Sequence, residues 1–101
     1  MPANELPIPP AATEDLKARE LLRVWAANKK QHVSLATGLW EDPASWGIML
    51  VDLARHVANA YRINDDKDPL LTLRRIREGF EAEWNHPTGP STGDVLDDQT
   101  R

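Results

Sequence analysis

The stretch LRVWAANKKQHVSL, residues 22–35, decides the fold class of this chain. On both sides of Asn28, apolar and polar residues alternate, which is typical of two half-buried β-strands. Because a lone strand leaves its backbone groups without partners, we expect the two segments to pair as a hairpin. A loop at residues 28–29 places Val24 opposite Val33, whereas a loop one residue later places it opposite Leu35. Asparagine tolerates the positive φ of a type I′ turn, which favours the first register.

Either register gives the hairpin one apolar face and one mixed face that carries Trp25. The two edges of a two-stranded sheet offer unpaired backbone groups to other chains. We therefore expect a homodimer in which hairpin edges pair and Trp25 is covered. The alternative is a monomer in which the N-terminal arm lies over that face or edge of the hairpin. The apolar face should lie on helices, and its members are Leu22, Val24, Val33 and Leu35.

Residues 43–62 carry the clearest helical pattern. Asp42 is a good N-cap, and Pro43 suits the first helical position. Apolar residues recur at steps of three and four over a wide stripe, with Leu53 and Val57 in its middle, so we expect this to be the most buried helix. The stripe comprises Trp46, Met49, Leu50, Leu53, Val57, Ala60 and Tyr61, and Ile48, Val51 and Ala54 widen it.

A second helix begins with the same signal, Asp68 followed by Pro69, and ends before Pro87. Gly79 in its interior costs on the order of 1 kcal/mol relative to alanine, which a close crossing of the two helices would explain. Its apolar stripe is Leu73, Ile76, Phe80 and Trp84, broadened by Leu70.

The predicted fold is therefore α+β, a β-hairpin packed on two antiparallel α-helices. Residues 1–12 contain four prolines and should form an extended arm, followed by a single α+β domain at 13–86. Within that domain we expect a short turn or helix near 13–19, although 13–28 could also be partly helical. Residues 87–101 hold few apolar side chains and should form a disordered tail.

Composition excludes several classes of protein. The chain has no cysteine, and hence no disulfide, thiolate metal site or cysteine nucleophile. Its longest apolar run, residues 48–51, is far too short to span a membrane, and the N-terminus lacks a signal-peptide pattern, so we expect a cytoplasmic protein. The net charge of −4 argues against binding to nucleic acid or to anionic lipid.

The best polar constellation is on the first helix, where Asp52, Arg55 and His56 share one side. A carboxylate and an imidazole four residues apart can ligate a metal or transfer protons. A hydrogen-bonded polar surface explains them better, and two ligands do not make a zinc site. The acidic linker at 64–68 resembles the start of a calcium loop, yet it has proline where that loop needs glycine. We therefore expect no metal.

Two tryptophans are the other candidates for binding. Trp25 lies on the mixed face of the hairpin, and Trp40 lies in the corner before the first helix. Both could fold onto the core, but tryptophan is also enriched at contact surfaces.

Four segments resemble a small bacterial family that is catalogued only as a domain of unknown function. They are residues 23–25, residues 32–35, the run GLWEDP at 38–43 and the run WGIMLVDLARHVA at 46–58, of which the last is the most specific. The resemblance spans roughly residues 5–85 and implies no reaction, cofactor or partner.

The sequence thus predicts a small interaction or self-association module without catalytic activity or cofactor, whose partner is a protein or a second copy. The alternative is a small-molecule binder or minor enzyme that uses Asp52, Arg55 and His56.

Overall fold

The computed structural model describes residues 4–88 and the backbone of residues 95–97. It confirms the α+β class and divides the chain into two compact units, residues 1–37 with 93–101 and residues 38–92. The elements of the first unit are α1 (Pro10–Glu14), β1 (Leu22–Ala27), β2 (Lys30–Leu35) and β3 (Val95–Asp97), and those of the second are α2 (Ala44–Asp65) and α3 (Pro69–Asn85).

The hairpin has the register that its turn residue favours. β1 and β2 pair antiparallel with Val24 opposite Val33 and Leu22 opposite Leu35. Asn28 and Lys29 take φ values of 53° and 61°. Two consecutive positive φ angles define the type I′ turn, whose twist matches that of the flanking strands. The first of the two predicted registers is therefore confirmed.

The sheet has one strand more than the sequence predicts. β3 pairs parallel with β2, with Val33 opposite Val95 and Leu35 opposite Asp97, so the strand order is β1-β2-β3. This strand falls in the stretch 87–101, where the sequence analysis expected no structure. A three-residue strand carries too little pattern to be recognised, and it forms because β2 offers it an edge. The rest of the predicted tail after Thr88 lies outside the described residues.

The N-terminal arm turns helical earlier than predicted. α1 begins at Pro10, inside the segment 1–12 that was expected to be extended throughout. Pro9 is extended, with φ −57° and ψ 140°, as a residue before proline prefers, and Pro10 then takes the first helical position. The helix lasts only to Glu14 and a turn follows at residues 16–17, so the predicted turn or helix near 13–19 is only partly helical.

A side chain lies at the beginning of α2, and a left-handed backbone conformation ends it. The helix begins at Ala44, one residue later than predicted, so Pro43 rather than Asp42 holds the N-cap position. The Asp42 carboxylate still accepts a hydrogen bond from the Ala44 N–H (3.0 Å). The helix extends to Asp65, three residues beyond the predicted end. Asp66 then adopts the left-handed conformation (φ 54°), and its N–H donates to the carbonyl of Arg62 (3.1 Å). Such a left-handed residue commonly closes a helix by satisfying its last carbonyls.

α3 starts at the second predicted cap. The Asp68 Oδ1 accepts from the N–H groups of Leu70 (2.8 Å) and Leu71 (3.1 Å). Only residues 66–68 separate the two helices, and a connection this short makes them antiparallel neighbours.

The first long helix is the one described helix with a buried residue, but the middle of its apolar stripe is far less buried than the sequence predicts. Ala58 is the one residue of α2 that is buried among the described residues, while Leu53 and Val57 are 43% and 41% exposed. Periodicity shows that a face is apolar, but it does not show that the same chain covers it. The explanation for Gly79 fails as well, because a Cβ at that position would meet no described atom within 4 Å.

Candidate functional site

The polar residues singled out on α2 form an exposed surface pair with a histidine beside it. Arg55 Nη1 donates to Asp52 Oδ1 at 3.2 Å, and both side chains are more than half exposed. His56 follows directly and is also exposed. An exposed pair of this kind stabilises a helix by only about 0.3–0.5 kcal/mol. The arrangement leaves the imidazole accessible but gives it no enclosed space.

Trp25 lies beside a groove that the N-terminal arm forms with β1. The groove has a volume of about 520 Å³, and residues 4–9 line one side while residues 22–25 line the other. Trp25 is half-buried there. The arm thus runs beside the edge strand β1, which is the arrangement that the sequence predicts as the alternative to an edge-paired dimer.

Arg23 fixes the arm to the strand. Its guanidinium donates to Glu5 (2.6 Å) and, through Nε and Nη2, to both carboxylate oxygens of Glu20 (3.1 and 3.0 Å). The hydrogen bonds and charge of Glu20, with a smaller contribution from Glu5, raise the pKa of Arg23 above its usual value. The guanidinium thus joins two segments that are eighteen residues apart.

Trp40 packs against Trp46 at the beginning of α2. The ring centroids are 5.1 Å apart and the planes meet at 81°, which is the edge-to-face geometry that aromatic pairs prefer. Trp40 is half-buried, so part of its surface serves this contact. Of the five predicted binding residues, Trp40 therefore shares the helical unit with the three on α2, while Trp25 belongs to the unit that holds the sheet.

The sequence analysis missed a groove between α2 and α3. It has a volume of about 600 Å³ and is lined chiefly by apolar side chains. Leu50 and Val51 lie on the α2 side, and Leu70, Ile76 and Phe80 lie on the α3 side.

The groove continues to one end of the helical pair. There Trp46 and Trp84 border a second hollow that shares Leu50 and Phe80 with the first. Phe80 and Trp84 stack with centroids 5.6 Å apart, yet they are 54% and 75% exposed. We call the two hollows together the α2–α3 face.

Charged side chains border the α2–α3 face. Arg55 lies on the α2 side, and Arg74, Arg77 and Glu81 lie on the α3 side. Arg77 Nε donates to Glu81 Oε1 at 2.9 Å, one helical turn away along α3. The face is thus an apolar strip with a charged rim, which is the usual anatomy of a protein-binding surface.

One signal in the sequence points to this face. Val51 and Ala54, which widen the stripe of α2 beyond Leu53 and Val57, line this face, whereas Ile48 does not. We interpreted that width as deep burial. The same width indicates equally that a surface other than α3 must cover part of α2.

The chain matches the model of a domain of unknown function, DUF5076, over residues 5–88. It belongs to this family. The DUF5076 region contains the hairpin, both long helices and nearly all of the described arm, whereas β3 lies beyond it.

A solved structure resembles this DUF5076 chain. It comes from the photosynthetic bacterium Rhodopseudomonas palustrus CGA009 and is described as a "putative pyruvate dehydrogenase". The two chains are 35% identical, the alignment covers 87% of this chain and 90% of the other, and the TM-score is 0.67. Curated proteins provide no match.

Two further findings concern the described residues alone. No three histidine, aspartate or glutamate side chains among them are grouped so that they could hold a metal ion. None of the helices in that part of the chain has both the length and the apolarity to cross a membrane.

Proposed function

We propose that this DUF5076 chain is a protein-interaction module that acts by self-association through the α2–α3 face. The observation that carries the proposal is the exposure of that face. Leu70 and Trp84 are each 75% exposed, and Phe80, which lies between them in the sequence, is about half exposed. A contiguous apolar surface with a charged rim is typical of a binding site.

The size of the face supports the proposal. An aromatic side chain presents about 150–250 Å², so Phe80 and Trp84 expose roughly 200–300 Å² between them. Leu50 and Leu70 extend this patch to the scale of about 300–600 Å² that marks functional surfaces. The whole face measures about 20 Å across two helices and about 25 Å along α3, roughly 500 Å² in projection. A standard interface buries about 800 Å² of accessible surface on each partner, which such a corrugated face can approach.

The energetics of the helical unit point in the same direction. Helices gain most of their stability from packing an apolar face rather than from intrinsic propensity. None of the large side chains in residues 4–88 is fully buried, and the described buried apolar residues are two alanines, Ala36 and Ala58. Association through the α2–α3 face would bury the leucine and aromatic side chains that the helical pair leaves exposed, at about 25 cal/mol for each Å².

A second candidate function rests on the name of the solved relative. If that name describes an activity, the accessible polar residues on α2 are the groups of this chain that could bind a small acid or transfer a proton. Arg55 offers a cation and His56 an exposed imidazole within one helical turn. A titration with pyruvate, followed by the chemical shifts of His56, tests this candidate. Unchanged shifts at millimolar pyruvate would remove it.

Sedimentation equilibrium tests the main proposal, and two neighbouring leucines provide a matched pair of variants. Leu70 lines the groove, whereas Leu71 is exposed and is not among its lining residues. We expect the wild type to associate at micromolar concentration, Leu70→Ser to raise the dissociation constant at least tenfold, and Leu71→Ser to leave it within twofold. A wild-type chain that stays monomeric up to several hundred micromolar would refute the proposal. Equal effects of the two variants would place the contact elsewhere.

A further inference from the structure

The charges on the rim of the α2–α3 face follow an ordered pattern along α3. The basic residues Arg74 and Arg77 occupy its first half, and the acidic residue Glu81 occupies the second. Arg74 and Glu81 are seven residues apart, which is two helical turns and about 10 Å, so they lie on the same side of the helix. Leu70 and Trp84 continue this line at its two ends, because residues 70, 77 and 84 are spaced by seven.

This pattern is complementary to itself when it is reversed. We propose that the partner on the α2–α3 face is a second copy of the chain, whose α3 packs antiparallel across a twofold axis near residues 77 and 78. This deepens the proposed function and rests on it. In a twofold interface, each contact between two positions occurs twice. An axis at that point places Arg74 of one copy opposite Glu81 of the other, and Glu81 opposite Arg74.

The same axis also covers the most exposed apolar side chains of α3. Leu70 of one copy comes to lie beside Trp84 of the other. The axis that pairs Arg74 with Glu81 brings these two positions within one residue of each other, which is about 1.5 Å along the helix. These are the two α3 side chains that are 75% exposed. One operation therefore matches Arg74 with Glu81 at both contacts and covers the apolar ends of the line. It also brings the two Arg77 side chains together near the axis, where each keeps Glu81 of its own helix as a partner.

A parallel arrangement is disfavoured by the same residues. With the twofold axis along the helices, Arg74 would face Arg74 and Glu81 would face Glu81, and like charges placed opposite each other repel. The present pairing of Arg77 with Glu81 within α3 does not prevent the antiparallel contact. It uses one oxygen of the Glu81 carboxylate, and the second oxygen can accept from Arg74 of the other copy.

Charge reversal at one pair of positions tests the arrangement. Arg74→Glu places glutamate opposite Glu81 twice in the dimer, and Glu81→Arg places arginine opposite Arg74 twice. We expect each single variant to raise the dissociation constant of the homodimer about tenfold or more. The double variant R74E/E81R restores opposite charges at both contacts, and we expect its constant to return to within about threefold of the wild type. An equimolar mixture of the two single variants should form a heterodimer of similar affinity.

The double variant also separates association from helix stability. It carries the local changes of both single variants. If weakened helices caused the loss of affinity, the double variant would therefore lose at least as much affinity as either single variant. Arg75→Glu is the matched control, because it changes the net charge as Arg74→Glu does but does not line the groove. We expect it to leave the dissociation constant within twofold.

Each result leads to a definite conclusion. Recovery in the double variant and in the mixture supports the antiparallel twofold contact. Two results with a dimeric wild type would refute the arrangement but leave self-association in place. In the first, the double variant dimerises as weakly as the single variants. In the second, no variant differs from the wild type. A monomeric wild type would overturn the proposed function and this inference together. Concentration-dependent sedimentation, with helicity checked by circular dichroism, distinguishes these cases.

Discussion

Replacing Asp68 by alanine should weaken the start of α3 by an amount that its contacts define. Its Oδ1 accepts from two backbone N–H groups, those of Leu70 at 2.8 Å and of Leu71 at 3.1 Å. The first turn of a helix has no internal acceptors for its N–H groups, so both depend on this side chain. Substituting such a cap by alanine costs about 0.5–2 kcal/mol, and the double contact places Asp68→Ala in the upper half of that range, about 1–2 kcal/mol.

Two variants separate hydrogen bonding from charge. Asp68→Asn keeps an acceptor oxygen and removes the charge, so it should lose only the interaction of the carboxylate with the helix dipole, about 0.3–1 kcal/mol. Asp65→Asn removes the same charge from the last residue of α2, where a negative charge is unfavourable, and should cause no loss.

Urea unfolding followed by circular dichroism measures these differences. All proteins must be compared at one concentration, because association contributes to apparent stability. For a domain of this size, 1 kcal/mol corresponds to about 4–8 °C in melting temperature, so Asp68→Ala should melt well below the wild type. A change smaller than about 0.3 kcal/mol, or an equal loss in Asp68→Asn and Asp68→Ala, would refute the capping argument.

Two further substitutions test burial. Leu53→Ala should lower the free energy of unfolding by about 1–3 kcal/mol rather than the roughly 2–5 kcal/mol of a buried leucine, because Leu53 is 43% exposed. A loss above about 4 kcal/mol in urea titration would show that association buries Leu53. Gly79→Ala should stabilise the chain by about 0.5–1 kcal/mol, because alanine favours the helix and a Cβ there meets no described atom within 4 Å. A melting temperature below that of the wild type would contradict this prediction.

Features that depend on residues close together in the chain could be predicted. The register of the hairpin follows from Asn28, because one residue that tolerates positive φ selects the turn and the turn fixes every pair beyond it. The starts of both long helices follow from Asp42 and Asp68, whose carboxylates bond to backbone groups two or three residues away.

The candidate site could be predicted only in part. Asp52, Arg55 and His56 share a helix surface because their spacing requires it, and they form an exposed polar group. The face that carries the proposed function was not predicted. It needs Leu50 from one helix and Phe80 from another to line the same groove, and thirty residues separate them.

What the sequence determined by itself was therefore local: the turn, the caps and the apolar side of each element, all set by backbone conformation and short-range hydrogen bonds. Only the tertiary structure decided that residues 95–97 extend the sheet beside β2, far away in the chain, and that the stripe of α2 remains half exposed. The physical reason is that periodicity reports the polarity of a surface, whereas burial depends on which other surface meets it.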